Sequence, residues 1–312
     1  MSSVAPADPS DKLLDQIAFR APSLLVTIWG DMIAPTGQAV WLGSLIRLAA
    51  EFGLNERVVR TAVFRLQKDG WLQSRQEGRR SFYDLAPAGR HLTTSADVRI
   101  YRAAAPEWDG RWLTLIANGP GAGPKDRLTR ELLLQGFGQA APGVFVRPGG
   151  DVDDARSLIA DLGDEETVAV LASEADADTG LAAMRALVAR AWDHAAIDRG
   201  YAGFIDTFDT LARQAPGLPE RDAFVVQTLL VHEFRRITLR DPMLPSTLLP
   251  PGQSGAAARA LAGRIYGATR EASAAYATNI LEGHGGRVVS PGPAYYHRFT
   301  TRNQPDAGEG GG

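Results

Sequence analysis

RTAVFRLQKDGWLQSRQEGRRSFY, residues 60–83, decides how the first third of this chain folds. At about 100° per residue, Val59, Ala62, Val63 and Leu66 fall on one face of a helix, facing candidate core residues Leu45, Leu48 and Trp71. Arg57, Thr61, Arg65 and Lys68 fall on the opposite face, with Arg60 on its flank. Asn55 offers an N-cap and Gly70 a stop. The following WLQSRQEGRRSFYDL reads as two short strands turning at Glu77-Gly78. Upstream, APSLLVTIWGDMI (21–33) and WLGSLIRLAAEFG (41–53) read as two further helices, the first entered at Pro22, the second stopped at Gly53. Three helices and a hairpin form the pattern of a winged helix-turn-helix.

Charge gives that pattern a purpose. The quoted stretch carries six Lys/Arg against Asp69 and Glu77, a net +4, while the rest of the chain carries −7. A helix with one cationic face suits the major groove of duplex DNA, where an arginine fork can read a guanine edge and Thr61 can add a hydroxyl or methyl contact. Arg75, Arg79 and Arg80 lie on the hairpin, suited to phosphates or the minor groove. Any one of these arginines would more often simply solvate a helix face; the cluster, set in an acidic chain, points to DNA. Phe64 also falls near the polar side, where a thymine methyl or a neighbouring domain could meet it.

At 312 residues the chain has room for two or three domains, and 45% hydrophobic with 22% charged residues is ordinary for a soluble globular protein. The absence of cysteine removes disulfides, thiolate zinc sites and thiol nucleophiles together. No basic-then-apolar leader and no run of about 18 apolar residues is visible, so a cytoplasmic protein without a membrane partner is expected. Residues 1–18 and 303–312 have the composition of disordered ends.

Between Trp108 and Ala175 the rhythm changes. WLTLIA, GVFVRP and TVAVLA read as strands, while KDRLTRELLLQGF and DVDDARSLIADLG read as helices, the latter capped by Asp151 or Asp153. This alternation implies a small ferredoxin-like sandwich. From Thr179 to Leu281 helical signals dominate, and beyond Gly283 the chain reads as irregular loop. The expected class is therefore α+β: a winged helix-turn-helix domain over 19–95, a ferredoxin-like middle domain over 106–178 and a helical domain over 179–283.

Several catalytic readings fail on spacing. NGPGAGPKDR (118–127) places Lys125 before Asp126, not before Ser or Thr, so it is no phosphate loop, and it lacks G-x-G-x-x-G. HEFRR (232–236) has Arg236 where a zinc-protease helix needs its second histidine. Ser23, Ser44 and Ser173 have no G-x-S-x-G context. Tyr201, Phe204 and Phe208 recur at helical spacing and read as core; Tyr266 and Tyr276 are ambiguous. His232, Arg235, Arg236 and Arg240 gather charge on adjacent turns, either as an internal ion-pair network or as a hold on the phosphates of a CoA-type ligand.

The segments APSLLVTIWGDMI (21–33), VRTAVFRLQKDGWL (59–72), EGRRSFYDLAPAGR (77–90) and, most specifically, VHEFRRITLRDPMLPSTLLP (231–250) resemble the PaaX family of bacterial transcriptional regulators, repressors of phenylacetate-degradation operons. The resemblance runs from about Arg20 to about Tyr276. It implies a dimeric repressor with a winged-helix head, a Cas2-like middle domain and a helical C-terminal domain, released from its operator by an aryl-acetyl-CoA thioester such as phenylacetyl-CoA. The family usually continues LLP with Trp-Pro-Gly; here Gln253 and Ser254 take the Trp and Pro positions, which puts the usual effector in question. The Cas2 likeness also raises a metal-dependent nuclease, but the first strand is followed by Asn118, an amide that replaces poorly a hard-cation carboxylate.

The reading is therefore a non-enzymatic, DNA-binding transcriptional regulator. It would act as a homodimer on double-stranded operator DNA, with an acyl-CoA effector and no cofactor or metal. The alternatives are the nuclease and an adaptor whose winged helix binds protein.

Overall fold

A computed structural model describes residues 9–104, 107–118, 127–164, 166–174 and 180–300. Along the chain, α1 (Pro9–Gln16) and α2 (Ala21–Ile28) lead into a π-helical turn, Trp29–Ile33. Next come β1 (Val40–Trp41), α3 (Leu42–Ala50), α4 (Glu56–Lys68), β2 (Leu72–Glu77), β3 (Arg80–Leu85) and α5 (Pro87–Tyr101). The middle of the chain holds β4 (Arg111–Ala117), α6 (Arg127–Leu134), β5 (Gly138–Ala141), β6 (Val144–Pro148), α7 (Val152–Leu162) and β7 (Val168–Glu174). The remainder is helical: α8 (Leu181–Ala191), α9 (His194–Phe208), α10 (Leu211–Gln214), α11 (Glu220–Thr238), α12 (Gly255–Ile280) and α13 (Pro293–Tyr296). Among the described residues no helix is long and apolar enough to cross a membrane.

The chain divides into two compact units. One takes the chain up to Ala103, Phe204–Arg235 and the chain from Ala257 onward; the other takes Ala104–Gly203 and Arg236–Ala256. Helices from the region 179–283 fall in both units.

In the first unit, local signals place the early elements. Asn55 Oδ1 accepts the Val58 N–H at 3.0 Å and starts α4, while Gly53 and Gly70, at φ +71° and +72°, turn the chain out of α3 and α4. Val59, Ala62 and Val63 are buried, and α4 packs against both α2 and α3. The sheet order is β1-β3-β2, antiparallel throughout, with Glu77 paired to Arg80 across the hairpin turn. Gly78 opens that turn at φ +57°, a conformation glycine adopts without steric cost.

The same unit departs from the sequence reading at both ends. From Pro9 the lead-in is helix, not disordered chain: Leu13 and Ile17 are buried, and the Ser10 hydroxyl donates to Asp222 Oδ1 at 3.0 Å. Residues 1–8 and 301–312, which include the expected disordered tail, lie outside the described residues. The segment after Gly283, expected as irregular loop, carries a short turn and α13 and builds core, with Val289, Tyr295 and Arg298 buried. On α11, residues 222–232 are buried without a break, as befits a helix enclosed on all sides.

Arg298 reaches the unit's interior and meets Asp31 in the π-helical turn. Its guanidinium donates to Asp31 Oδ1 (2.9 Å), the Asp31 carbonyl (2.6 Å), the Gly30 carbonyl (3.0 Å) and Asp97 Oδ2 (2.8 Å). Tyr101 and Tyr266 hydroxyls donate to Asp31 Oδ1 at 2.7 and 3.0 Å, and Gln227 donates to Asp31 Oδ2 at 2.8 Å. Burial drives both tyrosine pKa values well above the ordinary phenol range, so they remain donors. Every oxygen of this buried carboxylate is therefore answered, the condition under which an interior ion pair is tolerated.

In the second unit, β4-α6-β5-β6-α7-β7 forms an antiparallel sheet of order β5-β6-β4-β7, the ferredoxin-like arrangement. Strand alternation sends Leu113 and Leu115 into a core with Leu132, Phe145 and Ile159, and Trp112 into a second cluster with Val146, Val188, Leu244 and Leu248. Asp151 caps α7, its Oδ1 accepting the Asp153 N–H at 2.6 Å. Tyr201 is buried here, and Phe204 and Phe208, which belong to the first unit, are buried there.

Candidate nucleic-acid interface

The α4 face opposite the core is open. Arg57, Arg60, Thr61, Phe64, Arg65 and Lys68 are all exposed, and Phe64 retains 65% of its surface. Arg60 is held by Glu56 one turn earlier, Nη2 to Oε1 at 2.7 Å, so part of its charge is already answered. Thr61 Oγ1 donates to the Arg57 carbonyl at 2.9 Å, which fixes its rotamer. Between the start of α2 (Ala21, Pro22) and Arg57, Val58, Thr61 and Arg65 lies a shallow groove of about 370 Å³. The sequence brought these residues to one face, and the structure keeps them there.

The hairpin differs. Arg75 and Arg79 are exposed, the latter at the turn. Arg80, suited by its place on the hairpin to phosphates or the minor groove, is exposed but already engaged within the unit. It pairs with Glu282, and its guanidinium lies 4.6 Å from the Trp41 ring centroid. The segment that holds it is itself fastened: the Trp41 N–H donates to the Glu282 carbonyl at 2.8 Å, and the Glu282 N–H donates to Ser44 Oγ at 3.0 Å. Next to it, the His284 ring stacks on Phe82 with centroids 4.4 Å apart, and its Nδ1 lies 2.6 Å from Glu77 Oε1. Glu282 and His284 escaped the sequence reading because nothing local marks them; their partners lie some two hundred residues away.

The four residues considered for an effector divide. His232 is buried, its Nδ1 2.9 Å from Thr27 Oγ1, and Arg235 donates to Thr27 Oγ1 (3.0 Å) and the Ser23 carbonyl (3.3 Å). Burial lowers the Arg235 pKa from the usual guanidinium value. Both side chains fasten α11 to α2, in keeping with the internal network that was one of the two readings. Arg236 and Arg240 belong to the other unit and are exposed. There, the Ser254 N–H donates to Asp198 Oδ1 at 2.6 Å beside a half-buried Gln253. In that unit β4 ends at Ala117, and the Asn118 N–H donates to the Thr167 carbonyl at 2.8 Å. Residues 119–126 of the glycine-rich loop lie outside the described residues.

Comparison with known proteins accounts for both units. Three family models match: PaaX-like protein over residues 20–89, the PaaX protein central Cas2-like domain over 105–186, and the PaaX-like protein C-terminal domain over 192–279. The chain belongs to the PaaX family. It is 37% identical over 290 residues to the transcriptional repressor PaaX of Escherichia coli (strain K12), covering 92% of each chain. An uncharacterized protein from Mycobacterium tuberculosis of known structure is 24% identical, with 73% of this chain and 88% of that one covered at a TM-score of 0.45.

Proposed function

We propose that this protein is a DNA-binding transcriptional repressor whose head is a winged helix-turn-helix, with α4 as the helix that enters the major groove. The observation that carries this reading is the exposed row Arg57, Thr61, Arg65 and Lys68 on a helix whose other face is buried. Arginine and threonine there suit base edges, and Arg75 and Arg79 suit flanking phosphates. The groove between α2 and α4 would take a backbone phosphate beside the base pairs that are read. Two heads in a homodimer would meet two half-sites related by a two-fold axis. Membership of a family that includes a named transcriptional repressor supports the direction of the effect.

The test is the double substitution of Arg57 and Arg65 by alanine. Affinity for the protein's own promoter DNA should fall by at least about thirtyfold, from roughly 1–3 kcal/mol per contact. Thermal unfolding should be unchanged. Equal binding by the folded variant would remove α4 as the reader.

For release, the proposed ligand is an aryl-acetyl-CoA thioester such as phenylacetyl-CoA, acting only through a difference in affinity between DNA-competent and incompetent arrangements. With His232 and Arg235 committed to packing, Arg236 and Arg240 are the exposed cations proposed for its phosphates. A thermal-shift series of acyl-CoA thioesters should raise the unfolding temperature of the wild type more than that of an Arg236→Ala, Arg240→Ala variant.

A further inference from the structure

Phe64 sits at the centre of the cationic row. At about 100° per residue it lies about 20° from Arg57 and about 40° from Lys68, with Arg60 and Thr61 on either side. Its ring is 65% exposed, whereas Phe52, Phe82, Phe137, Phe145, Phe204, Phe208, Phe224 and Phe234 are buried. An aromatic ring left in water gains nothing from its area. The question is what would cover it.

The surroundings choose the occupant. A protein surface laid over Phe64 would also have to cover Arg57, Arg60, Arg65 and Lys68 and desolvate their charges, at considerable cost. Duplex DNA offers the opposite combination. Phosphates and base acceptors answer the cations, and the C5-methyl of thymine is the apolar point that the major groove presents among them. We propose that Phe64 is a specificity-determining residue that packs on a thymine C5-methyl in each half-site. This rests on the reading of α4 as the groove-facing helix, and it adds the base that its centre recognises. Wedge residues that pry base steps apart work from the minor groove, so a ring flanked by groove-reading cations is cast as a methyl reader.

The experiment uses the full-length protein and a duplex enriched by it from a random pool. Each thymine is replaced in turn by deoxyuridine, which removes the methyl and nothing else. For the wild type, one such replacement per half-site should weaken binding about three- to fivefold, the scale of one buried methyl group. Phe64→Ala should bind the thymine duplex as weakly as the wild type binds the deoxyuridine duplex, and should no longer distinguish the two. Phe64→Leu should keep part of the discrimination. Because the side chain is exposed, both variants should melt as the wild type does.

If no deoxyuridine replacement weakens the wild type, or if Phe64→Ala still discriminates, the methyl contact is wrong while the groove-facing helix stands. Failure to enrich any duplex, or a duplex bound equally by the Arg57→Ala, Arg65→Ala variant, would bring down the reading beneath it as well.

Discussion

The arginines of α4 and the arginine at position 298 belong to the same compact unit and do opposite things. Arg57 and Arg65 stand in solvent, while Arg298 is 4% exposed and donates to two carboxylates and two backbone carbonyls. Arg298 secures the fold because its partners are inside; removing it would strand a buried charge. Arg57 and Arg65 contribute little to the fold, and that leaves them available to a polyanion. Positive charge in a sequence is therefore two different resources, and only the partner's location separates them.

The largest effect that should separate them is on stability. Arg298→Ala leaves Asp31 buried without its cation and should cost about 3–5 kcal/mol, read as a lower midpoint in urea denaturation. The Arg57→Ala, Arg65→Ala variant should stay within about 0.5 kcal/mol of wild type, as exposed substitutions usually do. If Arg298→Ala unfolds no earlier than the α4 variant, the contrast fails and the Asp31 cluster is not what anchors the C-terminal segment.

Legibility in the sequence follows the same division. The start of α4 at Asn55, the turns at Gly53, Gly70 and Gly78, and a cap at Asp151 or Asp153, of which Asp151 is the one formed, were visible because each depends on residues within a few positions. So was the cationic row, since exposure on one helix face follows from burial on the other. The ferredoxin-like outline of the second unit followed from the alternation of strands and helices, but the short strand β5 did not, and with it the four-strand order. What could not be read depends on distant chain. The expected first helix changes to a π-turn at Trp29–Ile33, where Asp31 meets partners from positions 101, 227, 266 and 298. For His232 and Arg235 an internal network and a ligand hold both stayed open, because charge was on display and Thr27 and Ser23 across the packing were not. Glycine-free α1 looked like loose chain because a helix of eight residues is stabilised by what it packs on, not by its own propensity.

The hairpin lies between the two extremes and sharpens the comparison. Arg79→Ala removes an exposed charge at the turn and should weaken binding to all DNA sequences alike, reducing the salt slope by about one unit. Arg80→Ala should do less than Arg79→Ala, because Glu282 and the Trp41 ring already occupy that guanidinium. The smallest expected effect comes from the other side of the pair. Glu282→Gln keeps the backbone bonds to Trp41 and Ser44 but withdraws the anion, so Arg80 is left free to turn outward. Stability should drop by no more than about 1 kcal/mol, the scale of a partly exposed pair, while non-specific DNA affinity at low salt should rise about two- to threefold as one more cation becomes available. If Glu282→Gln leaves DNA affinity and its salt dependence untouched, Arg80 is held by Trp41 alone and belongs with Arg298 as a structural arginine. If affinity rises and Arg80→Ala abolishes the rise, Arg80 is a DNA contact held in reserve, and the acid that restrains it lies just beyond α12, some two hundred residues away in sequence.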